Sequence, residues 1–317
     1  MTAALVDAPL ATHPGTRHLL SSEDLDRASV DRLLELAASF EAVAEREVKK
    51  LPTLRGRTVM NVFFEASTRT SSSFELAAKR LSADTLSFKS GGSSVEKGET
   101  LKDTLLTLDA YRPDVVVLRH EHAGAPALAT AYTRAAVVNA GDGKHAHPTQ
   151  ALLDLYTIRA RLGRIEGVHV CVVGDVLHSR VARSNIALLS RMGAFVSVIA
   201  PPTLVPRGLA ELGVAVSHEI GDLASADVVY VLRMQRERML AGEAFVPSLR
   251  EYAARFAVTR ARLREGQLVM HPGPMNRGVE IADDVADAPD SLIAAQVASG
   301  LVVRMAVLYD LLAEAAA

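Results

Sequence analysis

The sequence predicts an α/β protein of two α/β domains with parallel sheets, joined by interdomain helices. Three observations carry this expectation. Apolar β-branched runs alternate with amphipathic stretches of helical length across short connections, the pattern of parallel sheets with crossover helices. The runs are too uniformly apolar for clean alternation, which suits strands covered on both faces. A length of 317 residues accommodates two domains of about 150 residues each.

The first group of strands is Thr58–Phe64, Thr85–Phe88, Val115–Arg119 and Ala135–Asn139. The second is Val168–Val173, Phe195–Ile199, Val228–Leu232 and Leu268–Met270. Helical patterns over Ser71–Leu81, Thr100–Ala110, Thr149–Arg161 and Arg183–Met192 lie between them. The helix Thr149–Arg161 carries the chain from one group to the other. The segment Ser291–Ala317 is a long helical pattern with Pro289 and Asp290 as start signals. Gly300 inside it argues against one straight helix. Two such domains enclose a cleft, with ligands at the carboxyl ends of the strands.

Composition excludes several function classes. Lys plus Arg is 35 and Asp plus Glu is 37, a net charge of −2, so no basic surface for nucleic acid is expected. Trp is absent and aromatics are 4%, which disfavours base-stacking platforms. The one cysteine, Cys171, can form no intrachain disulfide, which fits a reducing compartment. The opening residues show no basic start with a long apolar run, so no signal peptide is expected; they read as a loose tail. No stretch reaches 18 apolar residues, so no membrane span is expected. Together these point to the cytoplasm.

Six segments carry chemistry. Phe64-Glu65-Ala66-Ser67-Thr68-Arg69-Thr70 joins a strand to a helix start. That start offers unpaired N–H groups and the positive dipole end. A plain cap needs one hydroxyl; here Ser67, Thr68 and Thr70 surround Arg69, whose guanidinium fork suits phosphate. Gly91–Thr100 is a Gly- and Ser-rich loop carrying Ser93 and Lys97. Taken alone it is an exposed loop with an ordinary lysine, and it can also close over an anion. Gly141–Gln150 places His147 after a strand and Gln150 in the next helix's first turn. A metal reading of His145 and His147 lacks a Cys or carboxylate partner at ligand spacing.

Val173–Ser184 has the place of a dinucleotide-binding turn but no G-x-G-x-x-G, so no nicotinamide cofactor is expected. Its Arg180 falls at a helix start facing the cleft. Arg233 and Gln235 follow the strand Val228–Leu232, with Arg236 and Arg238 expected in solvent. His271-Pro272-Gly273-Pro274 is a tight turn with carbonyls able to accept hydrogen bonds. Five of the six segments follow a predicted strand. They supply Arg, Thr, His, Gln and carbonyls, with no carboxylate pair, cysteine nucleophile or metal set. That chemistry holds a doubly anionic phosphate compound and a second anion, and works by positioning and charge stabilisation.

The sequences FFEASTRTSSSFE, SSVEKGET, VVLRH, HPTQALLDL, GDVLHSRVARSN, VLRMQRER and HPGPMNRGVEI together resemble the aspartate carbamoyltransferase family, in the right order from about residue 50 to the end. The resemblance implies an aspartate/ornithine carbamoyltransferase-like fold. It places a carbamoyl phosphate-binding domain at 1–148, completed by helix 292–317, and an aspartate-binding domain at 149–291. It implies transfer of the carbamoyl group from carbamoyl phosphate to L-aspartate, in pyrimidine biosynthesis. By the match, Ser67, Thr68, Arg69 and Thr70 hold the phosphate, while Thr70, Arg119 and His147 polarise the carbonyl. Gln150 and the carbonyls around Pro272, Gly273 and Pro274 orient the carbamoyl amide. Arg180 and Arg233 grip the aspartate carboxylates, with Gln235 beside them. Ser93 and Lys97 are implied to reach in from a neighbouring subunit of a homotrimer, Lys97 also touching aspartate. No cofactor, metal, nucleic acid or membrane is implied; regulatory or dihydroorotase-like chains are possible further partners. With no clear protein base, the neutral α-amine passes its proton to the leaving phosphate.

One position departs from the pattern: Ser71 stands where many relatives carry a basic residue after STRT. Two rival readings exist. An ornithine carbamoyltransferase-like enzyme would carry His-Cys-Leu-Pro in the late loop, where this chain has His271-Pro272-Gly273-Pro274. A non-catalytic scaffold of the same fold would not need ligand residues at every signature position.

Overall fold

A computed structural model describes residues 18–91, 94–235 and 245–313. The first half runs through α1 (Arg27–Ala44), β1 (Thr58–Phe63), α2 (Thr68–Arg80), β2 (Asp84–Lys89), α3 (Leu101–Asp109), β3 (Val115–His120), α4 (Ala125–Ala129) and β4 (Ala136–Asp142). Its four strands form a parallel sheet in the order β2-β1-β3-β4. Helix α5 (Pro148–Leu162) then leads to β5 (His169–Val173), α6 (Arg180–Arg191), β6 (Phe195–Ile199), β7 (Ala215–Ser217), β8 (Val228–Val231), α7 (Leu249–Phe256) and β9 (Leu268–Met270). These five strands make a second parallel sheet, β7-β6-β5-β8-β9. Helices α8 (Asp283–Ala286) and α9 (Ile293–Ala313) complete the chain.

All eight expected strands are present, and β7 is added at the edge of the second sheet. Each central strand is apolar on both faces because helices cover both; Val115–Leu118 and Val228–Val231 are entirely buried. The expected helix at Arg183 starts earlier, at Arg180, because Ser179 caps it by accepting the N–H of Ala182.

Helix α5 starts with Pro148 in its first turn and ends at Gly163 in left-handed conformation. Every residue from Pro148 to Ile158 is buried, since the helix packs on α6, α9, α1 and β4. It is therefore the interdomain element, wrapped by both halves. Helix α9 returns across the molecule to pack on α1, α2 and α5. Contrary to the expectation from Gly300, α9 is one continuous helix. The glycine serves space instead: a Cβ there would meet Arg304 Nη1 at 2.5 Å and Leu153 Cδ2 at 3.3 Å. By length and composition α9 is apolar enough to cross a membrane, yet it lies mostly buried within the protein. That is the character of a core helix hydrophobic on all sides. The N-terminal tail, residues 1–17, lies outside the described residues.

Candidate active site

The carboxyl ends of β1, β3, β4, β5, β8 and β9 feed the residues that line one cavity of about 610 Å³. Parallel sheets leave their ligand sites at these ends because the strand-to-helix turns open there. Among the described residues lining it are five arginines, Arg69, Arg119, Arg180, Arg233 and Arg304, and one carboxylate, Glu65. The cavity is thus built for anions.

The turn after β1 supplies Ser67 at the N-cap of α2. Its backbone is extended and its hydroxyl makes no capping hydrogen bond. The plain-cap reading fails here, and the first-turn N–H groups keep no intrahelical acceptor. The first turn of α2 holds no acidic residue, so nothing offsets the positive end of the dipole. Thr68, Arg69 and Thr70 follow on the cavity wall, Thr70 nearly buried. Burial pushes the pKa of Arg69 below the usual arginine range, and the charge of Arg233 pushes the same way. An anion between them relieves both. The guanidinium of Arg69 lies against Gly273, where a Cβ would stand 2.8 Å from Arg69 Cζ. Only glycine permits that approach at φ +61°.

Glu65 ties the carboxyl ends of the two sheets together. It accepts from Arg119 Nη2 at 2.9 Å, and a bidentate pair from Arg180 Nη1 and Nη2, both at 2.9 Å. Arg119 also donates to the carbonyl of Ala140, and Arg180 to that of Gly143. Both guanidiniums crowd Gly141, where a Cβ would meet Arg180 Nε at 2.8 Å and Arg119 Nη1 at 3.2 Å. The sequence reading quoted Glu65 without a role. Its signal in the sequence is the acidic residue itself, two residues ahead of the helix start at Ser67, since a carboxylate near the cleft calls for cationic partners.

His147 stands at the N-cap position of α5 and is 3% exposed; its backbone N–H donates to Ser184 Oγ at 2.9 Å. Gln150, one turn on, donates through Nε2 to Asp154 at 3.0 Å. His145 pairs through Nδ1 with Asp142 at 3.0 Å, a carboxylate three residues earlier that the sequence reading passed over. Asp142 also accepts the N–H groups of Gly124 and Ala146, so the pair braces a loop. Among the described residues no three His, Cys, Asp or Glu side chains are grouped to hold a metal.

On the second sheet, Arg233 and Gln235 contact one another, Arg233 Nη2 to Gln235 Oε1 at 3.3 Å. Buried Asp175 fixes their segment. One of its oxygens accepts the N–H of Gln235 at 3.0 Å, and the other accepts the N–H of His178 at 3.1 Å and lies 2.8 Å from His178 Nδ1. The turn after β9 is held by His271, whose Nδ1 accepts the N–H of Gly273 at 2.8 Å. Its Nε2 therefore carries the proton and faces Glu280 at 3.3 Å. Pro272, Gly273 and Pro274 reach the cavity wall.

Twelve of the fourteen expected site residues meet at this cavity: Ser67, Thr68, Arg69, Thr70, Arg119, His147, Gln150, Arg180, Arg233, Gln235, Gly273 and Pro274. Lys97 does not; it is exposed at the end of the single turn Ser94–Lys97 and is not among the residues lining its own chain's cavity. Ser93 lies outside the described residues, as do Arg236 and Arg238. The sequence reading missed Glu65, Gln296 and Arg304 on the wall.

Residues 17–160 match the family described as aspartate/ornithine carbamoyltransferase, carbamoyl-P binding domain, and residues 166–311 match its Asp/Orn binding domain. The aspartate carbamoyltransferase catalytic subunit of Acidothermus cellulolyticus is 57% identical over 300 residues, 93% of this chain and 92% of that protein. Aspartate transcarbamoylase of Trypanosoma cruzi, solved with carbamoyl phosphate and aspartate, is 34% identical with a TM-score of 0.83, covering 93% of this chain and 96% of that one. The catalytic subunit of M. jannaschii aspartate transcarbamoylase is 35% identical with a TM-score of 0.83, covering 94% and 98%.

Proposed function

The chain belongs to the aspartate/ornithine carbamoyltransferase family, and we propose that its cleft transfers the carbamoyl group of carbamoyl phosphate to the amino group of L-aspartate. The products are N-carbamoyl-L-aspartate and phosphate, and the reaction belongs to pyrimidine biosynthesis. One observation carries the choice: arginines from both sheets converge on a cavity that also holds an open helix start. Ornithine would bring an ammonium group to that wall, and the late loop holds Pro272-Gly273-Pro274 with no cysteine.

In this reading Ser67, Thr68, Arg69 and Thr70 hold the phosphate, aided by the α2 dipole. Thr70, Arg119 and His147 donate to the carbonyl oxygen as it gains charge. Gln150 and the carbonyls of the 272–274 turn accept from the carbamoyl NH2. Arg180 and Arg233 take the two aspartate carboxylates, Gln235 lying beside Arg233. The amine nitrogen bonds to the carbonyl carbon, the carbon–oxygen bond to phosphate breaks, and the amine proton passes to the leaving phosphate. No side chain has to serve as base, so the rate gain comes from alignment and charge. Residues 1–148 with 292–317 serve carbamoyl phosphate, and 149–291 serve aspartate.

A homotrimer in the cytoplasm, with Ser93 and Lys97 entering the neighbour's cleft, completes the reading. Support comes from strand β2, which forms an open sheet edge with Leu86 half exposed, and from Leu76 at 43%; such edges are normally covered. Regulatory or dihydroorotase-like chains would then bind around that trimer. The test is turnover with carbamoyl phosphate and either amino acid. Aspartate should react and ornithine should be negligible; comparable ornithine turnover overturns the assignment.

A further inference from the structure

One buried carboxylate behind the cavity has no part in the reaction described above. Asp154 on α5 is fully buried and accepts four side-chain hydrogen bonds. They come from Tyr230 Oη at 2.6 Å, Gln296 Nε2 at 2.7 Å, Asn185 Nδ2 at 2.8 Å and Gln150 Nε2 at 3.0 Å. The donors stand on β8, α9, α6 and its own helix. Burying a carboxylate is costly, and four donors together offset it. Arg304, buried on α9, adds an opposite charge.

The chemistry of the hub is one-sided. An ionised carboxylate only accepts, so each amide facing it must turn its NH2 inward. For Gln150 this leaves Oε1 as the atom available to the cavity that it lines. For Gln296 it leaves Oε1 to accept the N–H of His271, at 2.9 Å. His271 in turn takes the N–H of Gly273. Pro272 and Pro274 have no N–H, so that turn has only carbonyl oxygens to offer. Both elements at this corner of the cavity are thereby acceptors, and a ligand group seated there must be a donor.

We propose that Asp154 is a positioning residue for substrate choice: its acceptor-only hub sets Gln150, and through Gln296 the 271–274 turn, to select an acyl phosphate bearing NH2 over one bearing CH3. This rests on the carbamoyl phosphate reading of the cleft. An asparagine at position 154 has the same shape but must present an NH2 to one pair of donors. Tyr230 and Asn185 share one oxygen, Gln150 and Gln296 the other. With the NH2 on the second side Gln150 gains by turning over, presenting its own NH2 to the ligand's.

Acetyl phosphate, which has CH3 in place of NH2, is the probe. The KM for carbamoyl phosphate and the Ki of acetyl phosphate against it are measured at saturating aspartate. In Asp154→Asn the KM should rise about tenfold, the scale of one lost hydrogen bond, while the acetyl phosphate Ki stays within about twofold. Loss of general packing would move both constants together, and equal changes overturn the proposal. Gln296→Met removes the arm to His271 together with one of the four donors to Asp154, keeps the bond from Gln150, and should lower the ratio of the acetyl phosphate Ki to the carbamoyl phosphate KM about threefold. If Asp154→Asn does not fold, an unmoved ratio in Gln296→Met overturns the proposal alone. In a Gln150→Ala background, adding Asp154→Asn should shift the ratio no more than the His271 arm does. A wild-type enzyme inactive with carbamoyl phosphate and aspartate refutes the underlying reading. An active one whose ratio survives both variants refutes only the role of Asp154.

Discussion

The two walls of the cleft hold their polar groups by different means. On the first-sheet wall most donors are set by local backbone: an uncapped helix start at Ser67–Thr70 with Arg69 in its first turn, and His147 fixed at the head of α5, while Arg119 is held by Glu65. On the second-sheet wall they are long side chains held by other side chains. Arg180 reaches back across the cleft to Glu65, and the segment of Arg233 and Gln235 depends on Asp175. The first wall is built when the chain folds. The second is oriented by carboxylates, Glu65 for Arg180 and Asp175 for the segment of Arg233 and Gln235. Damage to the first wall should therefore appear in the rate, and damage to the second in the amino-acid substrate's KM.

The strongest challenge to that contrast is Arg69→Ala, which should lower kcat by about 10³-fold, the upper scale for removing one charged donor from a developing anion. Lys97→Ala should be comparably inactive if Lys97 serves the neighbouring cleft. Refolding the two variants together in equal amounts then restores about a quarter of wild-type activity, because each site draws its two chains at random. No recovery in verified trimers would place both residues in one chain's site. Arg233→Ala comes next. The aspartate KM should rise by about 10²-fold with the carbamoyl phosphate KM within about threefold, since a carboxylate partner alone is lost. Equal damage to both constants would erase the difference between the walls.

Glu65→Gln sharpens the comparison further. It keeps the shape and removes the charge that seats Arg119 and Arg180, so kcat/KM for aspartate should fall about tenfold. An unchanged value would show that the bridge does not orient Arg180. The smallest effect is on stability. Burial raises the pKa of Asp154 to about 6, against the lowering effect of its donors Tyr230, Asn185, Gln296 and Gln150. The folded state then binds the proton more tightly than the unfolded chain. The associated stability is present in full below pH 4 and is lost as pH rises through about 6, on the order of 3 kcal/mol. Denaturant unfolding across this window should show wild type losing that advantage relative to Asp154→Asn, which does not titrate there; parallel curves would contradict it.

Most of the fold and the cavity wall could be read from the sequence because they rest on local patterns. Buried strands such as Val115–Leu118 announce themselves as β-branched runs, and each motif follows its strand directly. Strand β7 escaped because Ala215–Ser217 is three residues long at a sheet edge, too short for any period. Asp154 escaped for a different reason. Three of its partners lie 31, 76 and 142 residues away, and a lone acid in an apolar helix gives no sign of them. Glu65 stood in plain view, yet its partner Arg180 is 115 residues on.

The return of α9 to the first half sets an order of events during synthesis. Its Arg304 lies over the ring of Phe74 on α2, 5.2 Å from the centroid, and α9 packs along α2 and α1. Those surfaces stay bare while the ribosome makes the entire second sheet. The half that begins first is therefore finished last, whereas domains usually mature in the order they are translated. Helix α2, whose first turn lines the cavity, receives its backing only as α9 emerges.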